Sequence, residues 1–386
     1  MKHFLIVLLI YLLPGFKSEA QVNATPQLNS DRYALVDGHK MHYQTGGTGS
    51  ATVVFENGHA STWDAWDNIY PQVGKFAKVF RYNRMGYGGS EPSEKPRTFL
   101  QIATELHELL QKANVPPPYV LAGHSMGGAT IRAFASLYPQ EMAGLVFVDP
   151  FNEYLLSGWT DDQKKQIGAQ LDSSVKNAPP VVIAEGEEMK DEMLKGFPEI
   201  NSFKLPDVPM VLLAANKDRP PTWEKSVADL FKNKMHDLSD SRFIDLPSSP
   251  HYIQNFEPSL VIECIRRVVF PNALTVLSAT LKAKGVDDCI AHFNRLKALY
   301  PKEYISENYL NSLGYEQLNK GDAPGAIKLF ALNAKLFPGS YNVYDSLGEA
   351  NMKGGNKKDA IKNYQKSLTL NANNMNAERM LKKLNQ

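Results

Sequence analysis

A strand-like segment turns abruptly into a helix-like one in the stretch YVLAGHSMGGATIRAFASLYP, residues 119–139. The segment before Gly123 is almost wholly apolar, which is typical of a strand that is covered on both faces. The apolar spacing after Ser125 is that of an amphipathic helix. Gly123 and Gly127 flank the serine, and glycines tolerate the crowding of a sharp strand-to-helix turn. A chain with this unit is predicted to build a sheet whose strands are connected by helices.

Strand and helix patterns alternate from Tyr33 onward. Residues 33–47 predict a hairpin that turns at Asp37–Gly38, and helical spacing extends over residues 61–76 and 98–114. Apolar runs without polar alternation predict parallel strands, because both faces of such strands are covered. These runs are residues 51–58, 77–83, 119–124, 144–150, 208–216 and 241–248. The predicted fold class is α/β, with a mostly parallel sheet in a domain that spans residues 25–272.

Residues 151–206 interrupt this alternation. They are rich in Asp, Glu, Lys and Met and show little strand pattern, which predicts a mostly helical insertion between two strands. Open parallel sheets bind their ligands at the carboxyl ends of the strands. We therefore expect this insertion to form a cap that covers a site at that edge and sets its specificity.

The last part of the chain contains an internal repeat. Five matched pairs each stand 34 positions apart: Leu313 and Leu347, Gly314 and Gly348, Gly321 and Gly355, Ala326 and Ala360, and Phe330 and Tyr364. This period resembles that of tetratricopeptide repeats over residues 306–373. Residues 273–302 resemble a degenerate third copy, and residues 374–385 a capping helix. The sequence thus predicts an all-α, tetratricopeptide-like domain over residues 273–386, with an unrelated helical bundle as the alternative.

Ser125 is the first candidate for chemistry. A serine hydroxyl is a weak nucleophile, so it needs a base to accept its proton, a group to hold that base, and donors for the oxyanion that forms. Its position at the predicted start of a helix favours developing negative charge. The alternative is a serine that only caps the helix.

The candidate base is His251. The stretch RFIDLPSSPHYIQNFEPSLVIECI reads as a strand, a polar loop with two prolines that contains His251, and then an amphipathic helix. The other late histidines fit less well, since His236 lies in a charged helical stretch and His292 lies in the repeat region.

The candidate orienting carboxylate is Asp218, which stands in the loop after the apolar run 208–216. Asp149, at the end of the preceding run LVFVDP, is the alternative. Asp245 lies inside a predicted strand and fits less well than either.

Residues 31–271 resemble the α/β-hydrolase superfamily in six motifs: VVFENGHASTWDAW, VFRYNRMGYGGS, GHSMGG, LVFVDP, LLAANKD and the loop of the candidate base. The resemblance implies a nucleophile elbow at Ser125 and the chain order Ser, Asp, His. It also implies an oxyanion hole made by the backbone N–H groups of His59 and Met126. Asn83 replaces the family's Asp in NRMGYGGS, a position that fixes loops, so we expect little effect on catalysis. Ser125 holds the position of the nucleophilic Asp of dehalogenases and epoxide hydrolases in this superfamily, so their reactions are not expected.

Composition narrows the possible partners. Lys and Arg total 42 and Asp and Glu total 41, which gives a formal net charge of +1. Neither nucleic acid nor an anionic membrane is an expected partner, because no strong field of either sign attracts them. No His/Cys cluster has the spacing of a metal site, and the predicted chemistry requires no cofactor. Cys264 and Cys289 stand in apolar helical patterns, which predicts buried thiols.

The N-terminus has the pattern of a targeting segment. Lys2 is followed by an apolar run, and small residues stand at Ser18 and Ala20. This pattern predicts a secretory signal peptide over residues 1–20 that is cleaved near Ala20. The apolar run of about ten residues is short of the roughly 20 that a bilayer span needs, and an uncleaved anchor is the alternative. With no lipid-attachment cysteine near the cut, the expected location is secreted or periplasmic.

Together these inferences predict an exported serine hydrolase that cleaves an ester or related acyl bond of a small-molecule substrate through an acyl-enzyme. Amide, lactone and carbon–carbon bond hydrolysis would use the same residues. The repeats are expected to bind a protein partner or to support self-association. The alternative is a catalytically inactive α/β-hydrolase scaffold with a protein-interaction module, because a fold alone does not establish an activity.

Overall fold

The computed structural model describes residues 31–217, 219, 221–238, 240–271, 273–299 and 306–386. The predicted signal peptide therefore lies outside the described residues. The chain divides into two compact units, with the boundary between Phe270 and Pro271. Among the described helices, none combines the length and the apolar character that a membrane crossing requires.

The first unit contains one sheet, to which eight strands belong in the described residues. The strands are β1 (Arg32–Val36), β2 (His39–Gly47), β3 (Thr52–Glu56), β4 (Lys78–Tyr82), β5 (Tyr119–His124), β6 (Met142–Val148), β7 (Met210–Ala215) and β8 (Ser241–Leu246). Their order across the sheet is β1-β2-β4-β3-β5-β6-β7-β8. Strand β2 pairs antiparallel with both β1 and β4, and every other neighbouring pair is parallel. The predicted α/β class and mostly parallel sheet are confirmed.

The predicted hairpin joins β1 to β2. Its turn residues Asp37 and Gly38 both have positive φ, at 49° and 83°. Two central residues of positive φ are the requirement of a type I′ hairpin turn, which matches the right-handed twist of the flanking strands. Val36 pairs with His39, so Asp37 and Gly38 form the tip of the hairpin.

Helices cover the sheet and connect its strands. In the first unit they are α1 (Tyr70–Val73), α2 (Phe99–Lys112), α3 (Met126–Leu137), α4 (Asp161–Val175), α5 (Pro180–Lys195), α6 (Pro198–Ser202), α7 (Pro221–Lys234), α8 (Ile253–Phe256) and α9 (Pro258–Val269). Every residue of β3, β5, β6 and β7 is buried, which agrees with their unbroken apolar sequences. In open parallel sheets, ligands bind at the carboxyl ends of the strands.

The stretch 61–76, predicted as helical, is broken in the structure. It contains a 3₁₀ turn at Trp63–Trp66 and the four-residue helix α1. The cause is Pro71, which lacks an N–H and clashes with the carbonyl four residues earlier in a continuous helix. It is accepted at the start of α1, where its missing donor has no intrahelical partner.

The predicted insertion is helical and consists of α4, α5 and α6 between β6 and β7. Helix α4 begins with a capping box, in which Thr160 and Gln163 satisfy each other's backbone N–H groups. Helix α5 ends at Gly196, whose φ of 80° suits the left-handed C-cap. The segment is called the cap below.

The second unit is helical throughout its described residues. Its helices are α10 (Ala273–Lys284), α11 (Val286–Leu299), α12 (Glu307–Asn319), α13 (Ala323–Leu336), α14 (Tyr341–Lys353), α15 (Lys357–Leu370) and α16 (Met375–Leu384). Helices α12 to α15 form two antiparallel pairs with the predicted 34-residue period. At Gly314 a methyl group would lie 2.4 Å from the ring of Phe330, so only glycine permits this helix contact. The predicted tetratricopeptide-like architecture is confirmed.

Candidate active site

Ser125 stands on the turn between β5 and α3. Its φ of 53° and ψ of −120° cost a residue other than glycine about 1–3 kcal/mol. The sheet holds this turn, because the Ser125 N–H donates to the Val148 carbonyl at 3.0 Å and the Phe151 N–H donates to the Ser125 carbonyl at 2.9 Å. The side chain is half-buried and makes no capping hydrogen bond to α3. A serine that only caps the helix is therefore not what the geometry shows.

The imidazole of His251 and the carboxylate of Asp149 form a direct pair at the same edge. Asp149 follows β6 with a φ of 48°, and His251 lies in the loop between β8 and α8. The Nδ1 atom of His251 lies 2.5 Å from Oδ2 of Asp149. An ionised carboxylate only accepts hydrogen bonds, so Nδ1 carries the proton. The other ring nitrogen, Nε2, is thus the one that can accept a proton.

Asp149 is fully buried, and both of its oxygens accept hydrogen bonds. Oδ1 accepts from the Ala215 N–H at 3.1 Å, and Oδ2 accepts from Arg219 at 2.8 Å as well as from His251. Burial alone would raise the pKa of Asp149, but the charge of Arg219 and the hydrogen bond from His251 outweigh it and hold the pKa below its usual value. The carboxylate is therefore ionised at neutral pH, as an orienting group must be.

The same surroundings favour a neutral His251. Burial lowers the pKa of His251, the charge of Arg219 lowers it further, and Asp149 opposes both, with a net decrease from the ordinary value. A neutral imidazole at neutral pH is the form that can act as a base. The guanidinium of Arg219 also stacks on the ring of Trp223 at 3.9 Å, which holds the charge in place.

His124 connects His251 to the serine turn. Its Nε2 lies 3.1 Å from the carbonyl oxygen of His251, so Nε2 carries the proton and donates it. Burial is the largest cause of a pKa for His124 well below its ordinary value, so this ring stays neutral. Its ring centroid lies 4.5 Å from that of His251. Because His124 directly precedes Ser125, these contacts bring His251 to the turn that carries the serine.

The candidate oxyanion donors flank the serine. A methyl group on Gly58 would lie 3.3 Å from Cβ of Ser125, so the loop that leads to His59 passes directly beside Ser125. Met126 is the first residue of α3, where an N–H has no intrahelical partner. Neither the His59 N–H nor the Met126 N–H donates a hydrogen bond to any residue that the structure describes. Both are therefore available for an oxyanion.

The side chain of His59 contacts the cap. Its Nε2 lies 2.8 Å from the carbonyl oxygen of Val182 in α5, so Nε2 donates to that oxygen. Burial lowers the pKa of His59, so the ring is neutral. The side chain is thus a structural contact between the cap and the loop at residues 57–59.

The other candidates that the sequence offered lie away from the pair of His251 and Asp149 or outside the described residues. Asp218 lies outside the described residues, so its role stays a prediction, and the contact of Asp149 with His251 supports the alternative. Asp245 accepts from Asn216, and His236 is exposed beside Asp237. Asn83 accepts from the Trp63 N–H at 3.0 Å, a contact that fixes a loop as the sequence predicted.

Sequence reasoning missed the supporting residues Arg219 and His124. Arg219 directly follows Asp218 in the sequence. A cationic residue next to a candidate carboxylate could have indicated that it belongs to the site. His124 lies inside the quoted serine motif, but nothing local indicates that its ring reaches the His251 carbonyl. In the part of the chain that the structure describes, no group of three or more His, Cys, Asp or Glu residues could hold a metal ion.

Two family models match the chain. Residues 51–173 match the model described as alpha/beta hydrolase fold. Residues 342–378 match the model SHNi-TPR. The first match covers the strands and the turn that carry Ser125 and Asp149, and the second covers helices α14 and α15 with the start of α16.

Curated relatives match parts of the chain. YqjL of Bacillus subtilis (strain 168), an uncharacterized protein, is 33% identical over 116 residues, which are 30% of this chain and 46% of that protein. The soluble epoxide hydrolase of Corynebacterium sp. (strain C12) is 31% identical over 105 residues, 26% of this chain and 35% of that protein. Among solved structures, the Cif epoxide hydrolase from Acinetobacter nosocomialis is 18% identical with a TM-score of 0.47, covering 62% of this chain and 89% of that one. The chain spans less than half the length of these two curated relatives.

Proposed function

The chain has an α/β-hydrolase fold followed by a tetratricopeptide-like helical region, and from that premise we propose that it is a serine hydrolase of an ester or related acyl bond. Ser125 is the nucleophile, His251 the base and Asp149 the residue that orients the base. The observation that carries the proposal is the 2.5 Å contact between His251 Nδ1 and Asp149 Oδ2 beside the serine turn. Its geometry matches the requirement for a base held in one tautomer.

The reaction follows from these positions. The Ser125 hydroxyl attacks the substrate carbonyl carbon, and Nε2 of His251 accepts its proton. The negative charge that develops on the carbonyl oxygen is stabilised by the N–H groups of His59 and Met126, each typically worth about 10²- to 10³-fold in rate. His251 then returns the proton to the leaving alcohol. Water repeats the sequence on the acyl-enzyme and releases the acid.

Buried Asp149 stabilises the imidazolium that forms on His251 without taking its proton. The charge of Arg219 keeps Asp149 ionised throughout the cycle. This arrangement supports a base that works at neutral pH.

A substrate panel tests the proposal. Acyl esters of increasing chain length, lactones and aminoacyl amides are assayed with the purified chain and with the Ser125→Ala variant as control. We expect turnover of at least one ester series, lost by a factor of about 10³ or more in Ser125→Ala because the covalent route is removed. Equal rates for the two proteins would contradict a serine nucleophile, and absence of any turnover would favour the inactive scaffold.

We also propose that the chain is exported, with cleavage near Ala20, and that the helical repeats bind a protein partner. The export proposal rests on the sequence pattern of residues 1–20 alone. N-terminal sequencing of the protein recovered from the periplasm or the medium is expected to begin at Gln21. A product that retains Met1 would support the uncleaved anchor instead.

A further inference from the structure

Arg84, in the loop after β4, uses all of its donors in the interior of the first unit. The side chain is 1% exposed. Its Nε and Nη2 donate to the two oxygens of Glu185 at 2.8 and 3.0 Å. Its Nη1 donates to Glu56 at 2.8 Å and to the Asn57 carbonyl at 2.7 Å, while Nη2 also donates to the Gly58 carbonyl at 2.8 Å. A guanidinium has five N–H donors in a fixed planar fork, and here five bonds occupy them.

The bond to the Gly58 carbonyl has a consequence for the neighbouring N–H. The peptide between Gly58 and His59 is trans, and in a planar trans peptide the C=O and the N–H point in opposite directions. Arg84 holds the oxygen of this peptide on one side. It therefore directs the His59 N–H to the other side, away from the guanidinium. A cation bonded to the carbonyl also polarises the peptide and strengthens its N–H as a donor.

The loop at residues 57–59 lies against the serine turn. A methyl group on Gly127 would lie 2.6 Å from the Asn57 carbonyl oxygen, and one on Gly58 would lie 3.3 Å from Cβ of Ser125. A shift of this loop therefore changes the position of the His59 N–H relative to the serine.

Glu185, in cap helix α5, is the cap's contribution to this arrangement. It is fully buried and receives a third hydrogen bond, from the Tyr87 hydroxyl at 2.7 Å. The guanidinium carbon of Arg84 lies 5.0 Å from the centre of the Tyr87 ring. The cap helix thus fixes the plane of the guanidinium that holds the loop.

We propose that Arg84 is a positioning residue that aims and polarises the His59 N–H as an oxyanion donor, and that Glu185 of the cap holds it in place. The inference rests on the proposed serine hydrolase function. It makes the cap a part of the catalytic geometry in addition to a cover over the site. Lysine cannot replace Arg84, because an ammonium lacks the planar fork that reaches two carboxylates and two carbonyls.

The test compares Glu185→Gln, the milder Tyr87→Phe, and Glu105→Gln as the matched control. Glu105 is a buried partner of Arg97, at 2.8 Å, with no hydrogen bond to residues 57–59. Three quantities are measured with the full chain: labelling by a fluorophosphonate, kcat and KM for a short-chain p-nitrophenyl ester, and the inhibition constant of an aryl trifluoromethyl ketone. The ketone adds reversibly to a serine hydroxyl, and the oxygen of the adduct then occupies the oxyanion position.

We expect Glu185→Gln to lower kcat by about tenfold or more, and Tyr87→Phe by about threefold, with KM changed less than about threefold, because a misplaced donor loses part of the 10²- to 10³-fold that it supplies. Ketone binding should weaken by the same factor as kcat/KM falls. Glu105→Gln should keep both quantities within about twofold, although its Tm falls.

The inference is overturned if Glu185→Gln and Glu105→Gln reduce kcat equally. It is also overturned if Glu185→Gln and Tyr87→Phe both retain wild-type affinity for the ketone. Tyr87→Phe keeps the test decisive if Glu185→Gln does not fold, since it removes a single hydroxyl. An unlabelled and inactive wild type would overturn the serine hydrolase proposal itself, and this inference with it.

Discussion

The exchange Asp149→Asn tests the identity of the orienting carboxylate. In the wild type this buried carboxylate accepts a hydrogen bond from Nδ1 of His251 at 2.5 Å and another from the guanidinium of Arg219 at 2.8 Å. An amide in its place presents either an N–H₂ to these donors or a single neutral oxygen. If the N–H₂ faces His251, the imidazole loses the acceptor that keeps its proton on Nδ1, and Nε2 no longer serves as the base. If the oxygen faces it, the acceptor remains but carries no negative charge.

The expected loss can be estimated from the charges. When His251 accepts the proton of Ser125, an imidazolium forms about 4 Å from the centre of the Asp149 carboxylate, and the attraction is about 4 kcal/mol at an effective dielectric constant of about 20. This energy corresponds to about 10³-fold in rate. The wrong tautomer adds to the loss, so we expect kcat to fall by about 10³- to 10⁴-fold.

Steady-state hydrolysis of the best ester of the panel measures this loss, with circular dichroism to verify folding. Asp218→Asn is the matched variant, because it makes the same substitution in the loop next to Arg219 and is expected to retain kcat within about threefold. The reasoning is refuted if Asp218→Asn loses about 10³-fold while Asp149→Asn keeps more than about a tenth of the wild-type rate.

Three further results are expected. Burial and the charge of Arg219 both lower the pKa of His251, so Arg219→Gln should shift the acid limb of the kcat/KM profile to higher pH, where the base now becomes protonated; an unchanged or lower limb contradicts this. Gly314→Ala should destabilise the helical repeats by about 1–3 kcal/mol in calorimetry, because its methyl meets an aromatic ring, whereas stabilisation by about 1 kcal/mol would mean that helix propensity dominates. Burial raises the pKa of Cys264 to about 11 and of Cys289 to about 12, so a thiol reagent at pH 8 should leave both unmodified until the protein is denatured, and rapid native labelling of either contradicts their burial.

Local sequence patterns predicted most of the fold because each reports a local physical cause. Unbroken apolar runs correspond to strands buried on both faces, as in β5 and β6. The 34-residue repeat corresponds to helix pairs whose close contact requires glycine at Gly314. The prediction of a continuous helix over residues 61–76 was wrong, because Pro71 lacks a backbone N–H and the apolar periodicity does not take that into account.

The choice between Asp149 and Asp218 could not be made from the sequence. Strand β7 lies between β6 and β8, and in the sequence a carboxylate follows the apolar run of β6 and another follows that of β7, so chain position alone did not separate the two candidates. The structure brings Asp149 to the imidazole through its positive φ and through the hydrogen bond from Ala215, which is 66 residues away in the chain. No local sequence pattern predicts a contact between residues so far apart in the chain.

The contacts between the cap and the core could not be predicted from the sequence either. Arg84 and Glu185 are 101 residues apart in the chain, and Glu185 stands in a cap segment whose charged residues are otherwise typical of a solvated surface. Their pairing depends on how α5 packs over the loop after β4, which is a tertiary property.

The most direct test of the central claim is active-site labelling by a fluorophosphonate, followed by mass spectrometry of the modified peptide. We predict one adduct on Ser125, absent in Ser125→Ala and formed at least about 10²-fold more slowly in His251→Ala, since the base no longer accepts the hydroxyl proton. Folded wild-type protein that forms no adduct, or an adduct that persists in Ser125→Ala, would contradict the account.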